Sequence, residues 1–355
     1  MTRTSAVVAV ALLVTLAGCV GGLGIEGVSD ESDENGADSA LEVDTGALEI
    51  RHLDVGQADA TLVVTPDDET ILIDSGDWRA DGSGVIDALE TQDIDRLDHL
   101  VATHGHADHI GGHAAIIEHL ETEGEGVGAA YDSGVAHTSQ TYDNYLDAIE
   151  THDVQLFEVQ DGDDLPLEDE TLAATVLNPP AGDSGDDLHS NSVTLVLEFG
   201  DFAYLTTGDA EADAEQRLVD DHGEALAADA YQAGHHGSST SSTEPFLDAV
   251  EPEIAVISSA LESQYGHPHD EVLEDFDDRD VDTYWTAVHG DITLTVEQTG
   301  NGTDVSVTTE HDASSDPAAL LDRKHEATAE DDGSASLLEP RPQDALAAPG
   351  ALVST

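Results

Sequence analysis

The chain has 355 residues, 39% of them hydrophobic, with 78 acidic against 9 basic side chains and a formal net charge of −69. Such a balance argues against extensive duplex binding, which leans on Lys and Arg to neutralise phosphates. It reads as a hydrated coat adapted to high salt, where repulsion is screened within about 3 Å, or else as a generally acidic secreted protein.

In chain order, "MTRTSAVVAVALLVTLAGCVGG" places Arg3 before an apolar run and then small residues. That layout predicts a lipoprotein-type signal peptide over 1–19. "LAGC" resembles a lipobox, so Cys19 is the expected lipidation site and the protein is expected to be exported and held at the cell surface, membrane-anchored. An uncleaved apolar anchor is the alternative. Cys19 is the only cysteine, which excludes an intrachain disulfide. Residues 20–45 are rich in Gly, Ser and acid and read as a flexible linker.

From 46 to 311 a single layered α/β domain is expected. Apolar, β-rich runs fall at 47–54, 60–65, 70–73, 98–103, 171–177, 192–199, 202–207, 254–258, 281–286 and 291–297. Helical stripes fall at 84–92, 110–121, 141–150, 210–222, 243–249 and 269–278. Residues 312–355 carry scattered Pro, Ala and charge and read as a mostly disordered tail, with a short helix over 318–327.

"THGHADHIGG" follows the strand at 98–103 and sets His104, His106, Asp108 and His109 on a loop. Imidazole and carboxylate ligands in that density suit zinc, iron or manganese. The spacing lets His104 and His106 grip one ion while Asp108 and His109 grip a second. Gly111 and Gly112 then permit close backbone approach at the entry to the next helix.

This stretch resembles the HxHxDH signature of the metallo-β-lactamase fold. "LDVGQADATLV", "ILIDSG", "NSVTLVLEFGDFAYLTTGDAE", "GHHGSSTSSTEPFLDAVEPEIAVIS" and "YGHPHDEVLEDF" follow in the order seen in the hydrolase domain of ComEC/Rec2-type competence proteins. The resemblance implies an αββα four-layer sandwich and two divalent metal ions, zinc first and manganese second. It implies Asp209 as a bridging carboxylate and Asp74 as a buried prop for the histidine loop. A third ligand for the first ion falls to His189 or Asn191. From the last histidines the expected assignment is His235 to metal, with His236 and His267 contacting substrate or moving protons; "GSSTSS" adds hydroxyls beside them.

Two metals make a strong nucleophile from water near neutral pH. The leading expectation is therefore a metal-dependent phosphodiesterase or nuclease, acting on a small phosphodiester or on DNA. A hydrolase of esters, lactones or β-lactams and a non-catalytic metal-containing surface binding protein are the competing readings. The sequence shows no obligate protein partner.

Overall fold

The computed structural model describes residues 46–335 apart from 183 and 301, with side chains to 329. The expected signal peptide, Cys19, the 20–45 linker and residues 336–355 lie outside the described residues. None of the described helices is long and apolar enough to cross a membrane.

The first half of the chain lays down β1 (Leu48–His52), β2 (Thr61–Val64), β3 (Thr70–Ile73), β4 (Arg96–Val101), β5 (Gly126–Asp132) and β6 (Gln155–Glu158). Between them run α1 (Ser83–Thr91), α2 (His113–Glu123) and α3 (Gln140–His152). The second half adds β7 (Leu172–Asn178), β8 (Thr194–Phe199), β9 (Phe202–Thr206), β10 (Ala230–Gln232), β11 (Ile254–Ile257) and β12 (Asp282–Trp285). Its helices are α4 (Ala212–His222), α5 (Glu244–Val250), α6 (Asp270–Asp278) and the short α7 (Thr286–His289). The chain then returns with β13 (Ile292–Thr299) and β14 (Gly302–Thr309), and closes on α8 (Pro317–Ala335).

Two sheets result. One runs β14-β13-β1-β2-β3-β4-β5-β6 and the other β12-β11-β10-β9-β8-β7. Each is antiparallel on one side and parallel on the other, the change falling at β3 and at β9. The inner faces meet through Ile50, Val63, Ile71, Leu195, Leu197 and Tyr204. On the outside, Leu72, Leu97 and Leu100 pack against α1, α2 and α3, while Leu205, Tyr231 and Ile257 pack against α4, α5 and α6. The order is helix, sheet, sheet, helix. β3 is buried on both faces, Ile71 and Ile73 inward and Leu72 outward, which explains its unbroken apolar run.

Three departures from the sequence reading have physical causes. β5 and β6 gave no strand signal because "GVGAAYD" is mostly small and "QLFE" is only four residues long. α2 begins at His113 rather than 110, so Ile110 is buried in the turn before it. The expected tail is partly ordered: α8 packs Leu320 into the outer core of the second sheet. Its start was legible, since Asp316 accepts from the Ala318 and Ala319 amides ahead of Pro317 in the first turn.

Candidate metal centre

The centre forms where loops leave the carboxyl ends of β3, β4, β9 and β10. Two of these loops are zipped together first. The Asp74 amide donates to the Val101 carbonyl, Ser75 to that of His109, and Gly111 to that of Gly76. The approach is tight enough that a Cβ on Gly111 would lie 2.1 Å from the Trp78 nitrogen, and one on Gly112 2.6 Å from the Ser75 oxygen. No side chain larger than hydrogen fits at either position.

Asp74 then sets the histidine loop. Its carboxylate accepts from the Thr103 amide at 2.8 Å, the Thr103 hydroxyl at 2.7 Å and His109 Nδ1 at 2.7 Å. With Nδ1 held by Asp74, His109 turns its Nε2 toward the cleft, the usual way a carboxylate orients a ligating imidazole. Burial raises the Asp74 carboxyl above its ordinary range, against the pull of His109 and Thr103.

Asp209, on the turn after β9, is the point on which the histidines converge. Its Oδ2 lies 3.5 Å from His104 Nε2 and 3.5 Å from His235 Nε2. Its Oδ1 lies 3.2 Å from His109 Nε2 and 3.8 Å from His236 Nε2. His106 Nδ1 joins the first set at 2.8 Å from His104 Nε2, and Asp108 Oδ2 approaches the second at 3.4 Å from His236 Nε2. Each carboxylate oxygen thus faces its own group of imidazoles.

The chemistry of these atoms fits a pair of cations. Asp209 Oδ1, His109 Nε2 and His236 Nε2 are all buried without a hydrogen-bond partner. Leaving such groups unpaired costs roughly 1–3 kcal/mol each, and a divalent ion satisfies all three together. His106 is pushed down to about 4 and His104 well below its ordinary range, by burial first and neighbouring imidazoles next, so both offer neutral nitrogen. Burial alone would also lower His109 and His236. Asp209 with Asp74 at the one, and Asp59 with Asp209 at the other, outweigh it and raise both well above the usual value. The field that retains those protons is the field a divalent cation would feel. Among the described residues, the sets that can each hold an ion are His104, His106, His189 and Asp209; Asp59, His109, Asp209 and His236; and, away from Asp209, His189, Glu211 and His235.

The expected division of the last histidines changes here. His235 and His236 are consecutive residues in the left-handed region, with φ of 51° and 56°, a conformation that costs energy for non-glycine residues and clusters at functional sites. It fans the two rings apart, one toward each oxygen of Asp209. His236, expected to face substrate, stands among the ligand atoms of the second set. His189 is in the first set, whereas the Asn191 amide nitrogen donates to the Asp187 carbonyl at 2.8 Å and braces the loop that carries His189. His267 is not in either set; it lines the mouth, with the Gln57 amide 3.4 Å from its Nδ1.

Asp59, Glu211, His137 and Gln57 escaped the sequence reading. Asp59, though counted in the second set, reaches its rings from the Nδ1 side, opposite Asp209: its Oδ1 is 3.4 Å from His236 Nδ1 and its Oδ2 is 3.9 Å from His109 Nδ1, so it backs both rings. Its position in "GQADA" was visible, but nothing local distinguished it from a turn residue. The cleft above these groups has a volume of about 410 Å³, and His137, Tyr265 and His267 stand at its wall. No Lys or Arg lines it.

Residues 53–260 match the family model of the metallo-beta-lactamase superfamily, and the chain belongs to that superfamily. It is a metal-dependent hydrolase with a site able to take two metals. Among curated relatives it is 31% identical over 242 residues to "ComE operon protein 3" of Bacillus subtilis, covering 64% of this chain and 30% of that one. It is 33% identical over 220 residues to "Competence protein ComA" of Neisseria gonorrhoeae, covering 62% and 28%. It is 31% identical over 225 residues to "Recombination protein 2" of Haemophilus influenzae, covering 62% and 25%. The chain spans less than a third of the length of these relatives.

Proposed function

We propose that the chain is a phosphodiesterase or nuclease that works with two divalent cations, zinc or, as the alternative, manganese, outside the membrane to which lipidated Cys19 would tether it. The observation that carries the reading is Asp209, with one oxygen toward each imidazole set. Two cations held there would supply an activated water and would stabilise charge on the oxygens of an in-line displacement.

The chain's own residues do the rest. Asp74 and Asp59 hold the rings of the second set from behind. Burial first, then His236, lowers His267 to about 4, so the ring is neutral at physiological pH. With Gln57 on its Nδ1, the His267 Nε2–H is free to donate to a phosphoryl oxygen at the mouth. The names of the relatives, competence and recombination, support a nucleic-acid phosphodiester and make DNA the first substrate to try.

One observation favours the runner-up. A wall without Lys or Arg suits a neutral ester, lactone or β-lactam as well as a phosphate. A panel of DNA, RNA, bis-p-nitrophenyl phosphate and p-nitrophenyl acetate, run in high salt with zinc or manganese, decides between them. Phosphodiester turnover abolished by chelation is expected. Turnover of the acyl substrate alone would transfer the assignment to the runner-up, and no turnover of anything would sink both.

A further inference from the structure

Glu211 stands beside the centre without belonging to either set around Asp209. It is the residue that precedes α4, the capping position, yet its side chain makes no capping hydrogen bond. Ser, Thr, Asp or Asn there is typically worth about 1 kcal/mol over a non-capping residue. The glutamate turns the other way. Its Oε1 lies 3.3 Å from His235 Nδ1 and 3.5 Å from His189 Nδ1, and it accepts at 2.9 Å from the Thr240 hydroxyl, whose oxygen is itself 3.3 Å from His235 Nδ1. The Thr240 carbonyl in turn accepts from the Ala212 amide at 2.9 Å, which ties the hydroxyl-rich loop to the start of α4. On the far edge of the same ring, His235 Nε2 faces Asp209 Oδ2 at 3.5 Å.

We infer that Glu211 is the positioning carboxylate of the first cation site, holding His189 and His235 through their Nδ1 atoms so that His235 presents its Nε2 lone pair beside Asp209. It does for the first site what Asp74 does for His109 in the second. The inference rests on the two-cation reading, not on the identity of the substrate. It also explains why a capping position is given to a residue that does not cap.

The test is a metal titration of the intact protein against a competing chromophoric chelator, with zinc and with cobalt. Wild-type protein takes up two equivalents. In Glu211→Ala one equivalent binds 10- to 100-fold more weakly, the range expected when the carboxylate behind a ligating histidine is lost. The other equivalent is unchanged, the cobalt spectrum of the weakened site shifts, and Glu211→Asp recovers part of the affinity. The metal-free melting temperature stays within about a degree of wild type, because the Glu211 side chain is 39% exposed. Unchanged affinities would overturn the role. So would equal weakening of both equivalents with a lower metal-free melting temperature, which marks a merely structural part. A third equivalent in wild type that vanishes in Glu211→Ala would make Glu211 a ligand of its own cation and overturn it too. Wild-type uptake of fewer than two equivalents would instead bring down the two-cation reading, and this role with it. Phosphodiester turnover enters none of these outcomes.

Discussion

β3 and β4 carry a buried histidine–carboxylate cluster toward each end, and the two clusters behave differently. At the carboxyl ends, Asp74 and His109 lead to ligand atoms that face one another without forming a hydrogen bond. Toward the other end, Glu69 accepts from His99 Nε2 at 2.9 Å and from the Glu168 and Asp169 amides, while His99 Nδ1 meets the Tyr131 hydroxyl at 3.1 Å. Every polar atom of Glu69 and His99 is partnered; none is among the unpaired buried atoms of the described residues. Each cluster pairs a buried imidazole with a buried carboxylate. What separates this metal centre from this internal strut is that unpaired ligand atoms converge on one carboxylate, Asp209.

The largest effect should come from removing the residue that serves both sets. Asp209→Ala is expected to lower phosphodiester turnover on the order of 10³-fold, the equivalent of several kcal/mol of lost charge stabilisation, and to reduce bound metal below two equivalents in elemental analysis. Turnover near wild type would end the comparison. Asp74→Asn should be milder. Without its charge His109 loses its anchor, and affinity for one equivalent should fall roughly 10- to 100-fold in chelator competition.

Glu69→Gln tests the other end of the strands. It should leave metal content and turnover alone while lowering stability by about 2 kcal/mol in denaturant unfolding, the worth of a buried hydrogen bond to a charged group. A loss of metal in this variant would show that the two clusters are coupled.

The smallest effect concerns a buried acid on the neighbouring strand. Burial pushes the Asp132 carboxyl up from 3.8 to about 6, the Gly134 amide pulling it back and Glu158 adding to the rise. The folded chain then keeps this proton to higher pH than the unfolded chain does. Its contribution to stability is full below about pH 4 and is lost as pH rises through 6. Asp132→Asn should therefore raise stability at pH 7 by about 1–2 kcal/mol and change nothing at pH 3.5, as thermal unfolding at the two pH values can check.

The sequence by itself determined the layered α/β domain, most strand positions and the histidine loop. Those properties are local: burial imprints a period of two or of 3.6, and "THGHADH" packs its ligands into one turn of chain. It could not show β5, β6 or the packing of α8, because small residues, very short strands and a polar helix leave little periodic trace. Only the tertiary structure decided that His235 and His236 part toward different oxygens of Asp209, and that Asp59 and Glu211 stand behind the imidazoles. A carboxylate behind a ring is defined by where two remote loops meet, and no pattern along the chain records that distance.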